Sequence, residues 1–143
     1  MRIVFLGCTT FSQRILKAIR DMENTEIAAI FSIPRLFKIS YSADRIENRN
    51  FADLSSHAKE LGVPYMEIDS VQGQRISDHL DLLKRLQPDV LLVMGWYYMI
   101  PQKVRDVPRF GAWGIHASLL PKYAGGAPLV WAMIQGETET GVT

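Results

Sequence analysis

The stretch of this chain that carries chemistry is residues 111–143, GAWGIHASLLPKYAGGAPLVWAMIQGETETGVT. His116 stands at the end of an apolar run, and Ser118 follows two residues later. Imidazole is the side chain best suited to moving protons near neutral pH. Gly114, Gly125 and Gly126 leave room nearby for a substrate or a backbone amide to come close. Taken alone, His116 reads equally well as a structural histidine hydrogen-bonded at a strand end. Cys8 reads as a small buried filler rather than a nucleophile, because nothing basic adjoins it. His57, His79 and His116 lie far apart and there is no Cys-x2-Cys, so no metal site is expected.

Strand-like and helix-like segments alternate along the chain. Apolar runs at residues 2–6, 26–33, 63–68, 89–94 and 111–116 predict strands, the third near a sheet edge because Pro64 donates no hydrogen bond. Phe11, Ile15, Ala18, Ile19 and Met22 fall at helical spacing, with Thr10 and Gln13 as a capping box. Further helices are predicted over 54–61, 74–86, 101–106 and 129–135, with Gly62 and Gly136 as stops. Residues 34–51 show no clear period, and loops this long are usually functional or mobile. The alternation predicts an α/β fold with a doubly wound, mostly parallel sheet. Ligands then belong beyond the carboxyl ends of the strands, in the loops after Leu6, Ile33, Met94 and His116.

Several function classes are disfavoured. The first turn, Gly7-Cys8-Thr9-Thr10-Phe11, lacks the further glycines of a dinucleotide fingerprint, and Ser32-Ile33-Pro34 offers no acidic residue for a ribose. There is no Gly-x4-Gly-Lys-Ser/Thr loop. The 143 residues carry a formal net charge of +1, too little for bulk steering toward nucleic acid or anionic membrane. No run of about 18 apolar residues predicts a membrane span. The amino-terminal residues do not read as a signal peptide, and a single cysteine fits a reducing cytoplasm.

Residues 111–143 resemble the formyltransferases that use 10-formyltetrahydrofolate, which act on methionyl-tRNA, glycinamide ribonucleotide or sugar nucleotides. The family pattern runs Asn-x-His-x-Ser-Leu-Leu-Pro-x-Tyr-Arg-Gly-x-x-Pro, then a tryptophan-containing helix, then Gly-Glu-x-x-Thr-Gly-Val-Thr. This chain matches at His116, Ser118, Leu119, Leu120, Pro121, Tyr123, Gly125, Pro128 and Trp131, and from Gly136-Glu137 to Thr140-Gly141-Val142-Thr143. The resemblance covers the whole chain and is tight after Pro88. It implies a Rossmann-like formyltransferase fold and attack of an acceptor amine on the formyl carbon. His116 would be oxyanion donor and proton-transfer group, and Ser118 would orient it or its loop. Leu92, Met94, Gly95, Trp96, Tyr97 and Tyr98, with Leu120 and Pro121, would border the folate. For any single aromatic of that loop, core packing is as good a reading. Trp131 is expected in the core.

Two departures stand out. Gly114 occupies the position of the family's catalytic asparagine, and Ala124 that of its arginine. We read Gly114 as a subfamily trait, with the oxyanion held by His116, a backbone amide or water. The family's aspartate is expected beyond Thr143, so residues 1–143 are expected to be an amino-terminal catalytic domain without its last strand. The expected acceptor is a small-molecule amine, such as an amino-sugar nucleotide, with tRNA less favoured by the charge. Arg35, Lys38, Arg45 and Arg49 could meet its phosphates or form a solvated loop. The second reading, from another class, is a non-catalytic folate- or nucleotide-binding module on the same fold.

Overall fold

In the computed structural model, which describes residues 1–39 and 42–143, the elements follow in this order. They are β1 (Arg2–Leu6), α1 (Thr10–Arg20), β2 (Glu26–Ser32), β3 (Leu36–Phe37), β4 (Ile46–Glu47), α2 (Ser55–Leu61), β5 (Tyr65–Glu67), α3 (Leu80–Leu86), β6 (Val90–Val93), α4 (Gln102–Arg105), β7 (Ala112–Gly114) and α5 (Pro128–Ile134). Two compact units result, Met1–Trp113 and Gly114–Thr143.

The sheet order is β5-β2-β1-β6-β7. Parallel pairing joins β1 to β2, β1 to β6 and β2 to β5. The chain winds outward from β1 through β2 to β5, then returns to the other side of β1 as β6. The winding therefore reverses between β1 and β6, and the expected α/β architecture is present. Side-chain alternation sorts β1 between two layers. Ile3 and Phe5 join Leu16, Leu54 and Ala58 on one face, and Val4 and Leu6 join Ile76, Leu83 and Val104 on the other. In β2 a register shift opposite Ile3 and Val4 leaves Ala28 unpaired with β1, so Ala28 and Ala29 both enter the second layer.

Several local expectations need correction. The capping residue of α1 is Thr9, extended at φ −122 and ψ 165, with Ser12 completing the box; Thr10 is already helical. The buried face of α1 centres on Ser12 and Leu16, while Phe11 is 43% and Met22 57% exposed and Ala18 is exposed. Ile15 and Ile19 are half-buried and pack on the first layer as expected, and Ser12 joins that face because its hydroxyl is hydrogen-bonded rather than hydrated. The 34–51 segment contains an antiparallel pair, β3 with β4; its Ser40 and Tyr41 lie outside the described residues. The predicted 74–86 helix begins as a 3-10 turn at Ile76–His79, where the Asp78 carboxylate accepts from the Arg75 N–H at 2.9 Å. The strand predicted over 111–116 is shorter, and all three residues of β7 are exposed.

Ser12 Oγ accepts from the N–H groups of Cys8 at 3.1 Å and Thr9 at 3.0 Å, and donates to the Met94 carbonyl. Thr9 Oγ1 lies 2.8 Å from Ser12 Oγ and accepts from the Ser12 N–H at 3.2 Å. Ser12→Ala strands two buried N–H groups and a carbonyl, and is expected to cost about 1–3 kcal/mol in chemical denaturation. Phe11→Ser, on the exposed face, is expected to stay within about 0.5 kcal/mol. Equal losses would contradict this assignment of faces.

Candidate active site

At the reversal of winding, the turn after β1 meets the loop after β6. Gly7 and Gly95 permit the approach: a Cβ on Gly7 would lie 2.6 Å from the Met94 carbonyl oxygen, and one on Gly95 would lie 2.3 Å from Thr9 Oγ1. Gly95 also has φ +65, which side-chain-bearing residues avoid. Cys8 is buried beneath this junction, its thiol 3.3 Å from the Gly95 carbonyl. Burial pushes that thiol up to about 12, so it is no nucleophile at neutral pH.

The loop residues singled out from sequence divide by environment. Leu92 is half-buried and Met94 buried. Trp96 and Tyr98 meet edge to face at 6.2 Å and pack on the cluster of Cys8, Ile33, Phe37 and Ile39. Tyr97 stacks on Phe37 at 4.7 Å yet stays 45% exposed, so it offers ring surface to a ligand. The Trp96 Nε1 atom is buried with no protein partner among the described residues. Apolar and aromatic walls with one uncommitted N–H suit a flat, polar-edged heterocycle. Two clefts of about 560 and 590 Å³ lie elsewhere on this unit, lined by residues such as Lys84 and Arg109, or Glu67 and His79.

One residue that the sequence reasoning missed is Asn48, only 3% exposed. Its Nδ2 donates to the Cys8 carbonyl at 3.0 Å. Its Oδ1 accepts from the Asn50 N–H at 3.1 Å and the Tyr97 hydroxyl at 3.3 Å. The available signal was the Asn-Arg-Asn run, since asparagine often turns the chain by bonding the amide two residues on. Nearby, the Arg35 guanidinium lies 5.4 Å from the Phe51 ring centre and 3.6 Å from the Glu47 carboxylate.

In the second unit, Gly114 closes β7 and contributes no side chain, and the half-buried His116 follows it. The backbone of His116 pairs both ways with Thr143, at 2.8 and 3.0 Å. Thr143 Oγ1 donates to the Ser118 carbonyl at 2.9 Å and accepts from the Leu120 N–H at 3.1 Å. Ser118 is fully buried and its hydroxyl donates to the Lys122 carbonyl at 2.7 Å. The Tyr123 carbonyl lies 2.8 Å from His116 Nε2. Tyr123 holds φ +52, a conformation unfavourable to a tyrosine. Its hydroxyl donates to Glu137 at 2.8 Å, and Lys122 reaches the same carboxylate at 3.3 Å. Those two contacts, Tyr123 first, hold the Glu137 carboxyl below its ordinary value. Leu120 is 46% exposed and Pro121 exposed. Trp131 is 51% exposed, not in the core as expected; Ala132 is the buried residue of α5.

A carbonyl oxygen only accepts, so His116 Nε2 carries the proton in that bond. Neutral His116 therefore presents Nδ1 as a free base, and Nδ1 donates only when the ring is charged. Nitrogen NMR of the imidazole is expected to show the Nε2–H tautomer; an Nδ1–H tautomer would contradict this geometry. Glu137 has a lowered pKa, so its contribution to the turn is present above its ordinary 4.5 and is lost as pH falls. Protection factors for amide exchange in residues 122–124 should fall on acidification through that range, and Glu137→Gln should remove that fall.

Over residues 1–143 the chain matches the formyl transferase family model. It is 35% identical over 147 residues to a methionyl-tRNA formyltransferase of Caldanaerobacter subterraneus, covering 100% of this chain and 44% of that protein. A methionyl-tRNA formyltransferase of Lysinibacillus sphaericus is 35% identical over 145 residues, with 99% and 42% covered. The chain thus spans less than half the length of these relatives. Among solved structures, glycinamide ribonucleotide transformylase 1 from Geobacillus kaustophilus superposes with a TM-score of 0.70 at 23% identity, over 99% of this chain and 71% of that one. A formyltetrahydrofolate deformylase from Pseudomonas syringae gives 0.69 at 19% identity, over 99% and 44%. These structural likenesses bear out the fold expected from sequence, and the match to the family model along the whole length establishes that the chain belongs to the formyl transferase family.

Proposed function

We propose that the protein moves a formyl group from 10-formyltetrahydrofolate to a primary amine, with His116 as the proton-transfer group. The observation that carries this is the 2.8 Å bond from His116 Nε2 to the Tyr123 carbonyl. It fixes the ring while leaving Nδ1 open. As the amine nitrogen bonds to the formyl carbon, Nδ1 takes the proton that the amine must lose. The imidazolium so formed donates first toward the developing oxyanion and then returns the proton to the departing folate nitrogen. Gly114 has no side-chain amide to share this load, so His116 is the side-chain donor. Ser118 is a positioning residue, holding the turn whose carbonyl grips the ring. Leu92, Met94, Gly95, Trp96, Tyr97 and Tyr98 border the folate.

The acceptor we favour is an amino-sugar nucleotide, whose phosphates suit Arg35, Lys38, Arg45 and Arg49 in a chain of net charge +1. A methionyl-tRNA acceptor is the second reading, favoured by the 35% identical relatives. The assay offers the formyl donor with each acceptor in turn. His116→Ala is expected to lower turnover at least about a hundredfold, the usual cost of an oxyanion donor. Unchanged turnover would overturn the assignment, and preference for methionyl-tRNA would replace the sugar reading.

A further inference from the structure

Three loops leave the carboxyl edge of the first unit: the turn after β1, the 34–51 segment and the loop after β6. Backbone bonds already join the first two. Thr10 N–H donates to Asn50 at 2.8 Å, Ala52 N–H to Cys8 at 3.1 Å, and Thr9 bridges Phe51. The Tyr97 ring rests on Phe37 of β3. The Asn48 amide touches all three loops: it donates to Cys8 and accepts from Asn50 and Tyr97.

We propose that Asn48 is a positioning residue that latches the loop after β6 to the first turn and the 34–51 segment, and thereby sets the place of the formyl donor. The proposal rests on the donor site proposed above. Its chemistry demands an amide. The Cys8 carbonyl needs a donor, whereas the Asn50 N–H and the Tyr97 O–H need an acceptor, and a primary amide presents both at opposite ends. A carboxylate would set a negative oxygen against the Cys8 carbonyl. A carboxylic acid would restore the pattern, with its O–H facing Cys8 and its carbonyl facing Asn50 and Tyr97. Preordering a half-exposed ring such as Tyr97 favours binding, because less freedom is lost when the ligand arrives.

The test compares the full chain with Asn48→Leu, Asn48→Asp and Tyr97→Phe. Hydrogen exchange over residues 94–99 reads the latch, and calorimetry with 5-formyltetrahydrofolate reads the donor site. In Asn48→Leu, exchange should rise and probe affinity fall about tenfold, the scale of one net hydrogen bond. The donor KM should rise likewise while kcat stays within about threefold; mere loss of folded protein would lower kcat and leave KM alone. Tyr97→Phe should show a smaller effect of the same kind, and should add little on top of Asn48→Leu. Asn48→Asp should bind poorly at neutral pH and recover only as the pH falls far enough to protonate its carboxyl, with no recovery in Asn48→Leu. Among the described residues, the titratable groups against this site are the Cys8 thiol, which stays protonated there, and the Tyr97 hydroxyl; the Arg35–Glu47 pair lies on the exposed side of the segment. Unchanged exchange in folded Asn48→Leu overturns the latch. Raised exchange with unchanged affinity overturns its role toward the donor. If the unaltered protein fails to bind the probe, the donor reading falls, and exchange alone then decides the latch.

Discussion

A single hydroxyl, Ser12 Oγ, joins the two strands between which the sheet reverses its winding. It gathers two N–H groups of the first turn and passes its own proton to Met94, one residue beyond β6. The junction also requires that Gly7 and Gly95 carry no Cβ. These constraints act together. The capped start of α1, the direction of the first turn and the exit of the β6 loop all follow from one buried polar knot. The ring surface of Tyr97 and the buried N–H of Trp96 lie just past its edge.

The second unit solves a similar problem with side chains such as Thr143 and Glu137 at its margins and backbone carbonyls at its centre. Its loop is shaped by backbone carbonyls: Tyr123 holds His116, Lys122 holds Ser118, and Thr143 closes on the backbone of His116. The unfavourable φ of Tyr123 fits such a role, because it aims a carbonyl rather than a side chain. A histidine gripped in this way has one nitrogen committed and one free. That division of labour follows from which atom faces a carbonyl.

The parts legible in sequence were those with a strong apolar signal. β1, β2 and β6 are buried on both faces and read as continuous runs, and the edge position of β5 followed from Pro64. The face of α1 was legible only in part: Ile15 and Ile19 pack on the core, but a periodicity of apolar residues cannot register a buried serine. β3 and β4 have two residues each, too few to show any period. Trp131 was assigned to the core because apolar character was equated with burial. At the site, His116 and Ser118 were visible as types and spacing. Asn48 was not, since its work depends on two loops far away in sequence. The Tyr123 carbonyl was invisible for a simpler reason: every residue has one.

Cys8 gives the first unit a built-in reporter. The thiol is fully buried under the junction of the β1 turn and the β6 loop, and raised to about 12 it is almost never a thiolate there. Thiol reagents can reach it only when that edge opens, so the labelling rate counts openings rather than intrinsic reactivity. As the one cysteine of the chain, it reports on that edge alone. A molecule that keeps the edge shut slows the labelling whether or not it is ever turned over, so ligands could be sought without an enzymatic assay.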